Sequence, residues 1–342
     1  MQNEIKEFQP LLNEKGILIN PGYAKKMYWE YDRKAIKANK FRIKEWDYYL
    51  IINDKNAIAF TIADNSYLGF ISVSLLDFQE RKYDMFSTII PFSMGKLKLP
   101  SSSGKGKVFF ENKKISLSFE NIGEKRIINC NIPNFKDKMC LNCKFILTNE
   151  PKESMVIATP FKENKNAFYY NQKINCMNAN GSINLGDKKI DFKNAFGTLD
   201  WGRGVWTYDN VWFWGTASGL VNGKTFGINI GYGFGDLSKA TENMIFYDGV
   251  AHKLDKVEFV IPKKKNKKYD FMKEWKFVAN DKRLDLTFTP ILDRHDKTNV
   301  IILVSDQHQI FGKLNGYVIL DDGKRLEINN LIGSAEVVHN RW

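Results

Sequence analysis

Cysteine is scarce in this 342-residue chain: Cys130, Cys140, Cys143 and Cys176 are all it has. Four thiols are too few to staple a fold of this size, and a reducing compartment keeps them unpaired. Cys140 and Cys143 have the spacing of a zinc knuckle or redox pair. No second pair follows and no helix start surrounds them, so buried or incidental thiols are expected. Histidine is equally rare, and His252, His295, His308 and His339 show no metal-ligand spacing, so no metal site is expected. Long apolar runs are missing, and nothing approaches the roughly 18 residues of a membrane-spanning helix. The opening Met1–Glu7 mixes charges of both signs with no apolar run behind it, which predicts no secretory signal and a cytoplasmic location. A Gly-x-Ser-x-Gly elbow and a Gly-x-x-x-x-Gly-Lys phosphate loop are both absent, removing the usual support for a hydrolase or kinase. No cofactor is expected.

Aromatic residues are abundant at 14%, with 25 Phe, 14 Tyr and 8 Trp. With the many Ile and Val they favour strands, since branched and aromatic side chains pack well on a pleated surface. Helical periodicity is scarce. Ile115–Glu120 and Leu284–Thr289 instead alternate strictly between apolar and polar, the mark of a strand wet on one face. Asn222-Gly223, Asp248-Gly249, Asn280-Asp281 and Asp322-Gly323 supply hairpin turns,. The net charge of +12 comes mostly from dispersed Lys, and no nucleic-acid motif accompanies it, so no nucleic-acid partner is expected. Lys263, Lys264, Lys265, Lys267 and Lys268 form the one true cluster. It reads as a solvated loop tip and a candidate weak contact for an anionic membrane surface.

The chain also repeats itself. Lys107–Phe119 aligns without a gap on Lys276–Phe288, an offset of 169 residues from Ile115 to Leu284. Trp46 to Trp212, at 166, and Met155 to Ile332, at 177, are looser marks of the same kind. The expectation is an all-β protein of two tandem barrels or strongly curved antiparallel sheets, residues 1–165 and 166–342.

The densest unusual stretch is Gly197–Gly215, which holds four of the eight tryptophans. Strand alternation puts Trp212 and Trp214 on one face, fit to line the inside of a barrel. Asp200 precedes them beside Trp201 and Arg203. Apolar burial would raise the Asp200 pKa and make it an acid, whereas the Arg203 guanidinium would lower it and make it a structural anion. Gly231-Tyr232-Gly233-Phe234-Gly235 describes a strand with one thin face able to admit a ligand, and Glu242-Asn243 follows as pocket lining or turn. Near the end, Glu336 interrupts an apolar strand, so it points into a cavity or pairs with a cation.

Leu199-Asp200-Trp201-Gly202-Arg203-Gly204, Trp212-x-Trp214, Asn229 to Asp236, Thr241-Glu242-Asn243 and Gly333-x-x-Glu336 with Arg341-Trp342 resemble the bacterial family called domain of unknown function 2804, over nearly the whole chain. That arrangement is in turn more distantly similar to the two-barrel, lipocalin-like group of carotenoid hydratases, tocopherol cyclases and fungal decalin-forming cyclases. The resemblance implies duplicated barrels, hydrophobic polyene substrates and an acid near a Trp-Gly motif, here Asp200-Trp201-Gly202. The histidine-containing acidic signature of the hydratases is absent from this chain.

Two functions are therefore expected in order. The first is binding of a hydrophobic or amphipathic small molecule, lipid or isoprenoid-like, in a barrel pocket lined by Trp201, Arg203, Trp212, Trp214, Tyr232, Phe234 and Asn243. The second is a cofactor-independent lyase, hydratase or cyclase with Asp200 as general acid, assisted by Glu242 and Glu336.

Overall fold

The structure is a computed structural model that describes residues 2–300 and 303–341. Three short strands open the chain, β1 (Gln9–Pro10), β2 (Gly22–Ala24) and β3 (Trp29–Glu30), followed by two single 3-10 turns at Arg33–Ala35 and Lys40–Arg42. A meander comes next, of β4 (Ile43–Ile52), β5 (Asn56–Asp64), β6 (Leu68–Asp77) and β7 (Lys82–Pro91). The first half continues with β8 (Lys107–Glu111), β9 (Ser116–Ile122), β10 (Lys125–Lys136), β11 (Met139–Thr148), β12 (Met155–Phe161), β13 (Asn164–Leu185) and β14 (Lys188–Val205). A second meander holds β15 (Asp209–Val221), β16 (Lys224–Tyr232), β17 (Met244–Tyr247) and β18 (Val250–Lys253). The chain closes with β19 (Val257–Val260), β20 (Trp275–Ala279), β21 (Leu284–Val300), β22 (Leu303–Ile319) and β23 (Arg325–Arg341). No helix among the described residues is long and apolar enough to cross a membrane.

Two large antiparallel sheets result, as the strand patterns predict. The first runs β7-β6-β5-β4-β14-β13-β11-β10-β9-β8, with β12 and β2 added at β13, and the second runs β18-β17-β16-β15-β23-β22-β21-β20-β19. In each, a four-strand meander is joined at its first strand to the last strand of that half. The order is thus repeated, and Trp46 on β4 and Trp212 on β15 occupy matching strands. The Lys107 and Lys276 hairpins do not, because they sit at different steps from the closing strand. Met155 lies on β12, off the main path, whereas Ile332 lies on the closing strand β23.

The chain passes from the first sheet to the second between Val205 and Asp209, because the hairpin β13–β14 pairs back onto β4 and so belongs to the first sheet. The turn chemistry is as expected: Asn222-Gly223 and Asp248-Gly249 are two-residue loops with positive φ at both positions, the backbone that suits a right-twisted hairpin.

Residues 197–205 of β14 are buried without a break, since one face of that strand packs on the first core and the other turns to the second sheet. A bulge in β13 links the two. Register shifts between Ile174 and Met177, with Cys176 at φ 64°, and the irregularity projects Asn175. Its Nδ2 donates to Thr216 Oγ1 at 2.8 Å, to Ile228 O at 3.1 Å and to Ala217 O at 3.2 Å. Gly227 lies opposite, where a Cβ would come within 2.6 Å of Cys176 Sγ.

Candidate functional site

Alternation along the central strands of the first sheet builds one wall of a cavity. Register sets Tyr48, Asp200 and Lys173 in one transverse row, and Trp46, Gly202 and Asn171 in the next. Side chains in such rows share a face. A Cβ at Gly202 would overlap the Trp46 indole, so the glycine is what lets that ring lie flat across β14. The second sheet supplies the facing wall by the same rule: Trp212 and Trp214 from β15, Gln309 from β22 and Glu336 from β23. Trp206 and Phe234 come from the connecting segments. The space they line is about 190 Å³, opens to solvent on one side and lies between the two sheets, not inside either one. The expected barrel interior is therefore replaced by an intersheet site. Trp212 and Trp214 join the first core, while Phe213, pointing the other way, joins the second.

Asp200 lines this cavity, and its partner is not Arg203. Lys173 Nζ lies 2.7 Å from Asp200 Oδ2, and Asn171 Nδ2 donates to Oδ1 at 2.7 Å. The same ammonium sits 4.3 Å from the centre of the Trp214 ring, a cation–π contact out of water. Arg203 is three residues from Asp200 and so points to the opposite face of β14. There its NH2 group meets Asp47 Oδ1 at 2.9 Å and Pro100 O at 2.9 Å, and the guanidinium lies 4.1 Å from the Trp201 ring centre. Arg203 and Trp201 thus brace the interior of the first sheet and do not line the cavity.

Glu336 does line it. Trp212 Nε1 donates to its Oε1 at 2.9 Å and Gln309 Nε2 to its Oε2 at 3.4 Å. Burial nonetheless raises its pKa, opposed by the Trp212 bond and by Lys173, with Asp200 adding to the rise. Glu242 is buried one layer behind: Tyr169, on the wall, donates from its hydroxyl to Glu242 Oε2 at 3.4 Å. Its carboxyl is pushed up to about 7, first by burial, against the pull of Lys173. One ammonium thus faces three carboxyls, and burial raises the pKa of both glutamates. Tyr48, whose hydroxyl accepts from Gln309 Nε2 at 3.2 Å, is likewise raised to about 12 by burial.

The thin Gly-aromatic strand divides in two. Positive φ at Gly233 and Gly235, 99° and 77°, turns the chain so that Phe234 stacks on Tyr169 at 4.8 Å and 15° and reaches the cavity. Tyr232 faces away and stacks on Phe213 at 4.7 Å. Asn243 is a brace, its Oδ1 accepting from Gly231 N at 2.7 Å and its Nδ2 donating to Asp255 O. Of the expected residues, the fold brings together Asp200, Glu336, Trp212, Trp214 and Phe234, with Glu242 behind them. Sequence reading missed Lys173, Tyr48, Tyr169 and Gln309. The signal for Lys173 was its place on the strand that hairpins directly into β14. Lys263, Lys264, Lys265, Lys267 and Lys268 are exposed between β19 and β20 and do not line the cavity.

A family model described as domain of unknown function (DUF2804) matches residues 2–342. The chain belongs to that family. No curated protein matches it. Solved structures share the fold of this DUF2804 member. CghA with Sch210972 is similar at a TM-score of 0.56 and 10% identity, over 97% of this chain and 96% of the other. A protein described as AttH from Nitrosomonas europaea is similar at 0.52 and 13%, over 90% and 96%. The two-barrel architecture implied by the motifs is therefore the architecture of the family's structural neighbours.

Proposed function

We propose that the cavity between the sheets holds a hydrophobic or amphipathic small molecule, lipid or isoprenoid-like. The observation that carries this reading is the wall itself: four indoles, Trp46, Trp206, Trp212 and Trp214, with Phe234 and Tyr169, line a cavity of about 190 Å³ beside a polar side that holds Lys173, Asp200, Arg294, Asp296, Gln309 and Glu336. Ligand sites have this make-up, an apolar lining with a small number of placed donors and acceptors. Titration with fatty acids and isoprenoid alcohols, read by tryptophan emission, tests it. A saturable change that is lost in Trp212→Ala and Phe234→Ala supports the reading. Emission indifferent to the whole panel, or unchanged response in both variants, contradicts it.

A second reading follows from Glu336, a carboxyl at the cavity wall whose pKa burial raises. The pocket then serves a cofactor-independent lyase, hydratase or cyclase. Glu336 O–H breaks as a C–H bond forms on an alkene carbon, and the indole faces steady the resulting cation. Water or a second double bond captures the cation, and a proton returns to the carboxylate. In this chemistry Asp200, held by Lys173 and Asn171, positions the ammonium and does not donate. Glu336→Gln should retain ligand binding and lose turnover of a polyene. Full turnover in that variant removes Glu336 as the acid.

A further inference from the structure

The hairpin β21–β22 presents two different faces. Arg294, Asp296, Gln307 and Gln309 point to the cavity. On the opposite face the register sets His295 directly across from His308, with Asp306 and Asp293 beside them. His295 Nε2 lies 2.9 Å from Asp306 Oδ1, and His308 Nε2 lies 3.6 Å from the same oxygen. One ligand atom from each of His295, Asp306 and His308 falls within 4.8 Å of the others. Two imidazoles and one carboxylate are a donor set suited to a borderline divalent ion such as zinc.

The fourth residue makes this more than a charged surface. His308 Nδ1 donates to Asp293 Oδ2 at 2.7 Å, and both side chains are four-fifths withdrawn from solvent. A carboxylate on one ring nitrogen fixes the tautomer and leaves the lone pair of the other nitrogen free to bind, the outer-shell arrangement found behind metal-bound histidines. His308 is further seated by Phe271, whose ring centre is 4.2 Å away. The two imidazoles are stacked at 3.8 Å and 5°. Lys297 Nζ occupies the other oxygen of Asp306 at 2.6 Å and leaves Oδ1 to the histidines.

We infer that His295, His308 and Asp306 form a divalent transition-metal site, with zinc as its ion and Asp293 as the residue that orients His308. Binding requires the two rings to splay by rotation about their side-chain torsions, until both Nε2 atoms stand about 2.0–2.1 Å from one ion. With three protein ligands, a fourth position is open to water or an external ligand. The spacing rule that argued against a metal considered neighbours along the chain, and here the ladder supplies the proximity.

The test uses the full chain, stripped with EDTA, titrated with Zn(II) by calorimetry and with Co(II) by visible absorption. One equivalent should bind. His295→Ala and His308→Ala should each abolish stoichiometric binding, and Asp293→Asn should weaken it by about 10–100-fold. His339→Ala, at an exposed histidine paired with Asp209, should bind as the parent does. Circular dichroism of each variant shows that the sheet is retained. Lack of stoichiometric binding by the parent chain, or binding undiminished in both His295→Ala and His308→Ala, overturns the assignment.

Discussion

Lys173 and Asp200 stand directly opposite each other on β13 and β14, 2.7 Å apart, with 2% and 12% of their side chains exposed. The ammonium of this pair also faces Glu336 and Glu242 and lies on Trp214. Removing one partner leaves a buried charge without its counter-ion, which costs about 3–5 kcal/mol. Lys173→Met should destabilise by that amount in urea unfolding. The double variant Lys173→Met/Asp200→Asn should recover much of the loss. Equal stability of the single and double variants would show that the two residues are not coupled.

Gly202 is the space in which the Trp46 indole lies. Gly202→Ala should push the ring off the cavity wall and cost about 1–3 kcal/mol through overpacking. The paired readouts are unfolding free energy and the tryptophan response to ligand. Gly223→Ala in the β15–β16 turn is an informative contrast, because space there is open and only the positive φ of 74° is disfavoured. It should leave the ligand response intact.

Glu242 gives stability a defined pH dependence. Its folded pKa is pushed up to about 7 from an ordinary 4.5, so folding favours the protonated acid. That contribution is fully present below the ordinary value and is lost as pH rises through about 7. Unfolding free energies at closely spaced pH should decline across this window, and Glu242→Gln should flatten the decline. Lys44 and Lys253, lowered by burial to about 6 and about 7, oppose the decline at the upper end of the window, while Glu336 and Asp47, raised in the same direction as Glu242 by burial, account for the decline that persists. A slope identical in Glu242→Gln would assign the whole effect to them.

Asn175 is the polar link between the sheets. Asn175→Ala withdraws donors from Thr216 Oγ1, Ala217 O, Ser218 Oγ and Ile228 O, and should cost about 1–3 kcal/mol. Hydrogen exchange is the discriminating measurement. Protection should fall at β15 and β16, where they meet the bulge, and persist in the hairpin β20–β21.

Strand content, hairpin turns and family membership were legible because each rests on local chemistry: period-two alternation, Asn-Gly and Asp-Gly turns, and contiguous motifs. Trp212, Trp214, Asp200 and Glu336 were legible as candidates for the same reason. The partner of Asp200 was not. Arg203 is its neighbour in sequence, yet three residues along a strand is an odd step that reverses the face, whereas Lys173 is distant in sequence and opposite in register. Tyr232 and Phe234 illustrate the same limit, since two positive-φ glycines carry one ring into the cavity while the other stays in the second core.

The amino-acid sequence by itself thus determined that the chain is β throughout and which residues are chemically unusual. Tertiary structure decided that the cavity lies between the sheets, that Lys173 rather than Arg203 neutralises Asp200, and that His295 meets His308. The physical reason is that hydrogen-bonded register, not distance along the chain, sets which side chains share a face. In antiparallel sheets register is fixed by pairings between strands that the local sequence pattern does not specify.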